Sequence, residues 1–240
     1  MSKQRYLHIV FSEPMQAYEL PYFRAAVIEK TKRQSDLFHN HLTDDQVMYR
    51  YPLIQYKITD RKASLVCLAE ATEDIHYLLK QQKFDFQIGN RPVQMEIEDV
   101  RLKFEQIQTQ PSLSYYNMQH WMALNQEHYK AFRDLTDIPT RKAYLENILH
   151  SHLSTFLQAL GNDEPYPLKT QILEVKSEKY IEYKGIFQIT FSLNFATNLH
   201  LPNYIGLGKG VSVGFGNVKR INDPTAFKEK QHAPKRSFFS

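Results

Sequence analysis

From Lys184 to Ala196 the chain alternates with a period of two. Phe187, Ile189, Phe191, Leu193 and Phe195 point one way, and Gln188, Thr190, Ser192 and Asn194 point the other. A strand with one face on a core has this pattern, and an amphipathic helix does not. The C-terminal half is therefore committed to a sheet. A helix able to cover that sheet precedes it: Leu145, Ile148, Leu149, His152, Leu153, Phe156, Leu157 and Leu160 recur at spacings of three and four. Asp137-Ile138-Pro139 has the chemistry of a helix start, and Gly161 stands where a helix closes.

The remaining segments fit the same scheme. Tyr6 to Ser12 reads as a strand, and Pro21 opens a helix that runs to about Arg33. Ser35 to Asp45 is a polar loop. Tyr49 to Thr59 and Lys62 to Glu70 form a hairpin, Thr72 to Gln82 a helix, and Phe84 to Ile88 and Val93 to Phe104 are extended. A second cycle has Leu113 to Leu124, the long helix, Leu168 to Lys179, Lys184 to Ala196 and a last strand from Val211 to Ile221, with its second helix reduced or absent. The order β-α-β-β-α-β, met twice, predicts an α+β protein of tandem ferredoxin-like (RRM-like) domains. Residues 1–110 would be the first domain, 111–221 the second, joined near Thr109-Gln110-Pro111, and 222–240 a basic tail.

Five of the eight glycines fall in one run, Gly206-Leu207-Gly208-Lys209-Gly210-Val211-Ser212-Val213-Gly214-Phe215-Gly216. Glycine is useful where backbone takes positive φ or passes close to another group. The run is not a Walker loop, because Gly208-Lys209 is followed by Gly210 and the position five before Gly208 is Asn203. It is not a dinucleotide fingerprint, because Val211 or Val213 stands where the third glycine belongs. Gly214-Phe215-Gly216-Asn217-Val218 matches part of an RNA-recognition strand motif, with Val213, Asn217 and Arg220 departing from it. The plain alternative is a strand entered through tight turns.

Charge narrows the choice of partner. The formal net charge is +4. Residues 219–240 carry all of it, through Lys219, Arg220, Lys228, Lys230, Lys235 and Arg236 set against Asp223 and Glu229. An RNA role must therefore rest on a local patch and the tail, since phosphate contacts dominate nonspecific affinity. A solvated terminus reads equally well from the tail alone. No apolar run approaches the roughly 18 residues of a membrane span, and the N-terminus lacks a signal-peptide pattern. Cys67 is the single cysteine, which excludes an internal disulfide and a thiolate metal cluster. A cytoplasmic protein without membrane association is the expectation.

With the glycine run, its flank Leu199 to Ile205 and the doubled fold order in view, the chain resembles the CRISPR-associated repeat-processing endoribonucleases of the RAMP superfamily. That family carries a C-terminal glycine-rich loop ending in a Gly-aromatic-Gly step. A second similarity lies in Leu20 to Ile28, Leu37-Phe38-His39-Asn40-His41 and Tyr49 to Lys57. The resemblance implies metal-independent, cofactor-free cleavage of precursor CRISPR RNA within its repeats. The ribose 2′-hydroxyl would attack, leaving a 2′,3′-cyclic phosphate and a 5′-hydroxyl. By position, His41 is the closest match to the family's catalytic histidine and His39 the second, with acid and base roles both open. The family's tyrosine in the first helix and lysine after the histidine have no counterpart, since Val27-Ile28 and Asp44 to Met48 occupy those stretches. Lys30, Arg33, Arg50 and Lys57 are candidates for the charge-stabilising role, with Lys57 preferred because it shares a strand face with Gln55, opposite Ile54, Tyr56 and Ile58. Lys209 with Gly206, Gly208, Gly210, Gly214, Phe215 and Gly216, followed by Lys219 and Arg220, would hold RNA. Partners would be CRISPR repeat RNA, other CRISPR effector subunits or a second copy in a homodimer.

Other readings of the same residues differ in class. A noncatalytic RNA-binding RAMP subunit follows from the missing lysine and tyrosine. A metal-dependent hydrolase would use the His39-x-His41 pair with Asp44 or Asp45, although zinc wants three or four ligands and no third stands at a diagnostic spacing. Taken without the resemblance, both histidines read as solvated loop residues. His152 falls in the apolar stripe as a core histidine, while His150 faces outward, and Trp121, Tyr115 and Tyr116 read as core before they read as base-stacking surfaces.

Overall fold

The computed structural model describes residues 3–32, 35–38, 41–43, 46–47, 51–81, 83–161, 164–225 and 227, with 41–43 and 46–47 described by their backbone. The first half runs β1 (Gln4–Pro14), α1 (Leu20–Lys30), β2 (His41–Thr43), β3 (Gln46–Val47), β4 (Ile54–Thr59), β5 (Lys62–Leu68), α2 (Ala71–Asp74), α3 (His76–Leu79), β6 (Phe84–Ile88), β7 (Arg91–Met95) and β8 (Ile97–Glu105). The second runs β9 (Thr109–Trp121), α4 (Gln126–Arg133), α5 (Ile138–Ala159), β10 (Thr170–Tyr183), β11 (Ile186–Leu199), a 3-10 turn at Val211–Val213 and β12 (Asn217–Arg220).

Each half builds a four-stranded antiparallel sheet, in the orders β4-β5-β1-β8 and β10-β11-β9-β12. In both, the first strand of the half lies between its third and fourth, which is the ferredoxin-like arrangement. β2 with β3 and β6 with β7 form separate two-stranded ribbons. The buried apolar side chains of the two halves make one continuous cluster.

Local chemistry explains the helices. Asn125 accepts a hydrogen bond from the His128 amide at the start of α4, and Asp137 accepts one from the Thr140 amide at the start of α5, where Pro139 occupies the first turn. Leu145, Ile148, Leu149, Leu153, Phe156 and Leu157 form the buried stripe of α5. In β11, Ile189, Phe191, Leu193 and Phe195 are buried, while Phe187 lies beyond the cover and is exposed.

Two expectations change. The helix expected over Thr72–Gln82 is two short pieces without side-chain caps, and buried Ile75 lies between them. The strand expected from Val211 is extended only at Asn217–Arg220, because Gly210, Gly214 and Gly216 all take positive φ and coil the backbone before it. No described helix is long and apolar enough to cross a membrane, and Cys67 is buried.

Candidate RNA-processing site

β4 is an edge strand buried on both faces. Ile54 and Tyr56 pack into the first half's core, while Gln55 and Lys57 point the other way and are also fully buried. The glycine run covers them. The Gly206 amide donates to Gln55 Oε1 at 2.9 Å, Tyr51 Oη donates to the Gly206 carbonyl at 2.7 Å, and Lys57 Nζ donates to the Val211 carbonyl at 3.1 Å. Gln55 Nε2 donates in turn to Tyr51 Oη at 2.8 Å. Buried polar groups that meet in this way are satisfied at little cost, whereas any one left alone would be expensive.

The run is tied equally firmly to its own half. Leu207 N donates to the Gly216 carbonyl, Gly216 N to the His120 carbonyl and Lys209 N to the Met122 carbonyl, each at 3.1 Å. Its glycines permit close approach to protein. A Cβ on Gly206 would stand 2.8 Å from Lys57 Nζ, and one on Gly216, at φ +62°, would stand 1.9 Å from the Leu207 carbonyl oxygen. Gly208 packs on Trp121, Gly210 on Met122 and Phe215, and Gly214 on Leu20 of α1. Phe215 is half-buried, with its ring edge-on to Tyr183 at 5.2 Å. Lys209 is the exposed side chain of the run. Lys219 lies 4.8 Å over the Tyr204 ring, and Arg220 extends from β12 toward Ser114 Oγ at 3.4 Å.

Lys57 is therefore inside the protein, 0% exposed, with its amine on a backbone carbonyl. Desolvation pushes its pKa down to about 7 from an ordinary value of 10.5. Lys30 is engaged elsewhere, with Nζ donating to the Asp85 carbonyl at 2.8 Å. His39, Arg33, Arg50 and the tail lysines and arginine at 228, 230, 235 and 236 lie outside the described residues. The His41 backbone pairs with Val47 in the β2–β3 ribbon. Its approach is anchored at Phe38, which is 1% exposed and whose carbonyl accepts from Tyr56 Oη at 3.4 Å. Three residues of chain reach at most about 11 Å, so the His41 backbone stays within that distance of the anchor.

Sequence reasoning missed Arg24. It is half-buried on α1, whose helix also touches the glycine run. Burial pushes the Tyr56 and Tyr183 hydroxyls up, and the Arg24 guanidinium partly offsets this at both. Arg24 thus lies within electrostatic reach of the tyrosine that anchors Phe38 and the tyrosine that contacts Phe215. Its helical position, one residue after buried Phe23, was visible in sequence, but the neighbouring half's Tyr183 was not.

The Cas6b N-terminal domain model matches residues 2–106 and the Cas6b C-terminal domain model residues 108–221. The chain belongs to the Cas6b family. This is the repeat-processing RAMP group that the sequence resembles. An uncharacterized protein of Methanocaldococcus jannaschii, MJ0978, is 32% identical over 124 residues, covering 51% of this chain and 83% of that protein. A crystal structure of Cas6b superposes with a TM-score of 0.83 at 24% identity, over 91% of this chain and all of the other. The CRISPR RNA processing endoribonuclease Cas6b gives a TM-score of 0.69 at 21% identity over the same shares. Csf5, a type IV Cas6 crRNA endonuclease, gives 0.56 at 13% over 92% of this chain and all of the other. At these identities the superpositions establish the Cas6 fold.

Two measurements check the buried clasp. Between about pH 7 and pH 10 the unfolded chain holds a proton on Lys57 that the folded chain has released, so this site's contribution to stability rises with pH in that window and is level below it. The stability of the wild type relative to Lys57→Met, read by urea unfolding, should therefore increase from pH 7 to pH 10; a difference independent of pH would refute the desolvated lysine. Gly216→Ala should cost about 2 kcal/mol or more in the same assay, because it adds a backbone collision to an unfavourable φ.

Proposed function

We propose that this Cas6b chain cleaves precursor CRISPR RNA within its repeats by internal attack, without a metal ion. The 2′-oxygen next to the scissile phosphate forms the new P–O bond as a base takes its proton. The bond to the 5′-oxygen breaks as an acid protonates it, giving a 2′,3′-cyclic phosphate and a 5′-hydroxyl. The observation that carries this reading is the match of Cas6b models to both halves of the chain. It is supported by the anchoring of the histidine segment at Phe38, on the strand that the glycine run covers.

His41 is the leading proton-transfer residue and His39 its alternate, since imidazole titrates near the working pH. Arg24 takes the role of the phosphate-facing cation in place of Lys57, which would have to leave its carbonyl partner and the interior to reach RNA. Lys209, Lys219 and Arg220 present charge to the RNA backbone, while the glycines of the run serve to pack it. Among the described residues no three His, Cys, Asp or Glu side chains converge on a metal-sized space, and the side chains of the His39–His41 pair lie outside that set.

Labelled repeat RNA incubated with the protein in EDTA should be cut to a product ending in a cyclic phosphate. Dependence on Mg²⁺ or Zn²⁺ would favour the metal-hydrolase reading, and tight binding without cleavage the noncatalytic one. His41→Ala should slow single-turnover cleavage by about 10²-fold or more. Wild-type rates in that variant, with loss in His39→Ala, would transfer the role to His39. Arg24→Ala should also lose about 10²-fold and Arg24→Lys less, because the lysine keeps the charge but not the fork.

A further inference from the structure

A cavity of about 360 Å³ opens on the second half, between α4, α5 and the exposed lysine of the glycine run. His128, Tyr144, Asn147, Ser151, His152 and Lys209 contribute polar groups to it, and none of its lining residues is acidic. Ala123 and Ile148 give it an apolar part. Its volume falls at the small end of ligand sites.

The donors are arranged by contacts behind them. The Trp121 indole can only donate, and it donates to His152 Nδ1 at 3.2 Å. That fixes the neutral His152 ring with its proton on Nε2, leaving an N–H as the ring's remaining donor in a side chain that lines the cavity. Desolvation, then the charges of His128 and Lys209, push the His152 pKa down to about 4, so this tautomer persists at neutral pH. His128 Nδ1 meets Tyr144 Oη at 2.7 Å, with the two rings edge to face at 5.8 Å. Lys209 is held in place by its backbone bridge to Met122. A cation, two imidazoles, a phenol, a hydroxyl and two amides around an acid-free hollow suit a phosphate, and the rings with Ile148 suit the base attached to it.

We infer that this cavity binds one phosphorylated nucleotide of the RNA, at a place apart from the histidine segment. The inference rests on the RNA-processing reading for its ligand. A free mononucleotide shares the chemistry, and the test separates the two.

Ser151 is an exposed helical position on the cavity wall, so Ser151→Glu puts a carboxylate among the donors with little risk to folding, and Ser151→Gln adds similar bulk without charge. Fluorescein-labelled single-stranded RNA of mixed sequence should bind Ser151→Glu about tenfold more weakly than wild type and bind Ser151→Gln within about twofold of it. Added uridine 3′-monophosphate should shift the ring NMR signals of His128 and His152 in the wild type and not in Ser151→Glu. Unchanged RNA affinity in a folded Ser151→Glu variant would overturn the inference. If the mononucleotide shifts the rings while RNA affinity is unaffected by the carboxylate, the cavity belongs to free nucleotides and the inference is likewise overturned. These readouts need no cleavage, so a wild type that binds in this way but never cuts repeat RNA would count against the processing reading alone.

Discussion

The structure turns on the face of β4 that a sheet edge would normally show to water. Gln55 and Lys57 lie on that face, and the glycine run closes over them from the other half of the chain. The contact requires two things together. The strand must offer polar side chains that match unpaired backbone groups, because the run forms no regular ladder there. The run must also bring its backbone close enough to accept them, which a Cβ at Gly206 would prevent. Further links across the halves then become possible, including Tyr6 Oη to the Asn203 carbonyl at 2.7 Å, His8 stacked on Tyr204 at 4.8 Å, and His200 on Glu105 at 2.9 Å.

The same contact assigns different work to two lysines that look alike in sequence. As sequence candidates, Lys57 and Lys209 both suit a phosphate. Burial separates them. Lys57 is stripped of water and given one carbonyl, so its charged form is costly and it serves as a tether. Lys209 is carried outward by a turn whose own amide is pinned to Met122, so its side chain stands at the surface. Arg24 lies between these extremes, half-buried on α1.

Much of the fold was readable because it depends on local pattern. The alternation from Phe187 to Phe195 and the stripe from Leu145 to Leu160 placed the second half's sheet and covering helix, and the doubled element order gave the topology. The site was less readable, because its geometry depends on groups far apart in the chain. Lys57 read as a cation sharing a strand face with Gln55, a candidate for stabilising charge; the partner that buries it is 154 residues away. The glycines were expected to open backbone to RNA. The positive φ of Gly208, Gly210, Gly214 and Gly216 coils the chain, and the crowded Cβ positions of the run pack it against Trp121, Met122 and Leu20. Val211 to Val213 has strand-forming composition, but the flanking glycines override that preference.

A chain whose first 218 residues are formally neutral cannot hold RNA by bulk attraction. Its phosphate contacts must be few and placed, and placement needs a rigid support. The glycine run meets that need: hydrogen bonds to β4 on one side and to the end of β9 on the other leave Lys209 little freedom of position. A cation fixed in this way loses less entropy on binding than one on a mobile loop. Phosphate contacts alone carry no sequence information. A protein that selects one RNA must add surfaces that respond to bases, and the Lys209 cavity combines an ordered donor set with aromatic walls. On the proposed reading the buried lysine bears on RNA recognition through what it fixes: by anchoring the run at Val211, two residues on from Lys209, it helps to set where the exposed lysine meets that cavity.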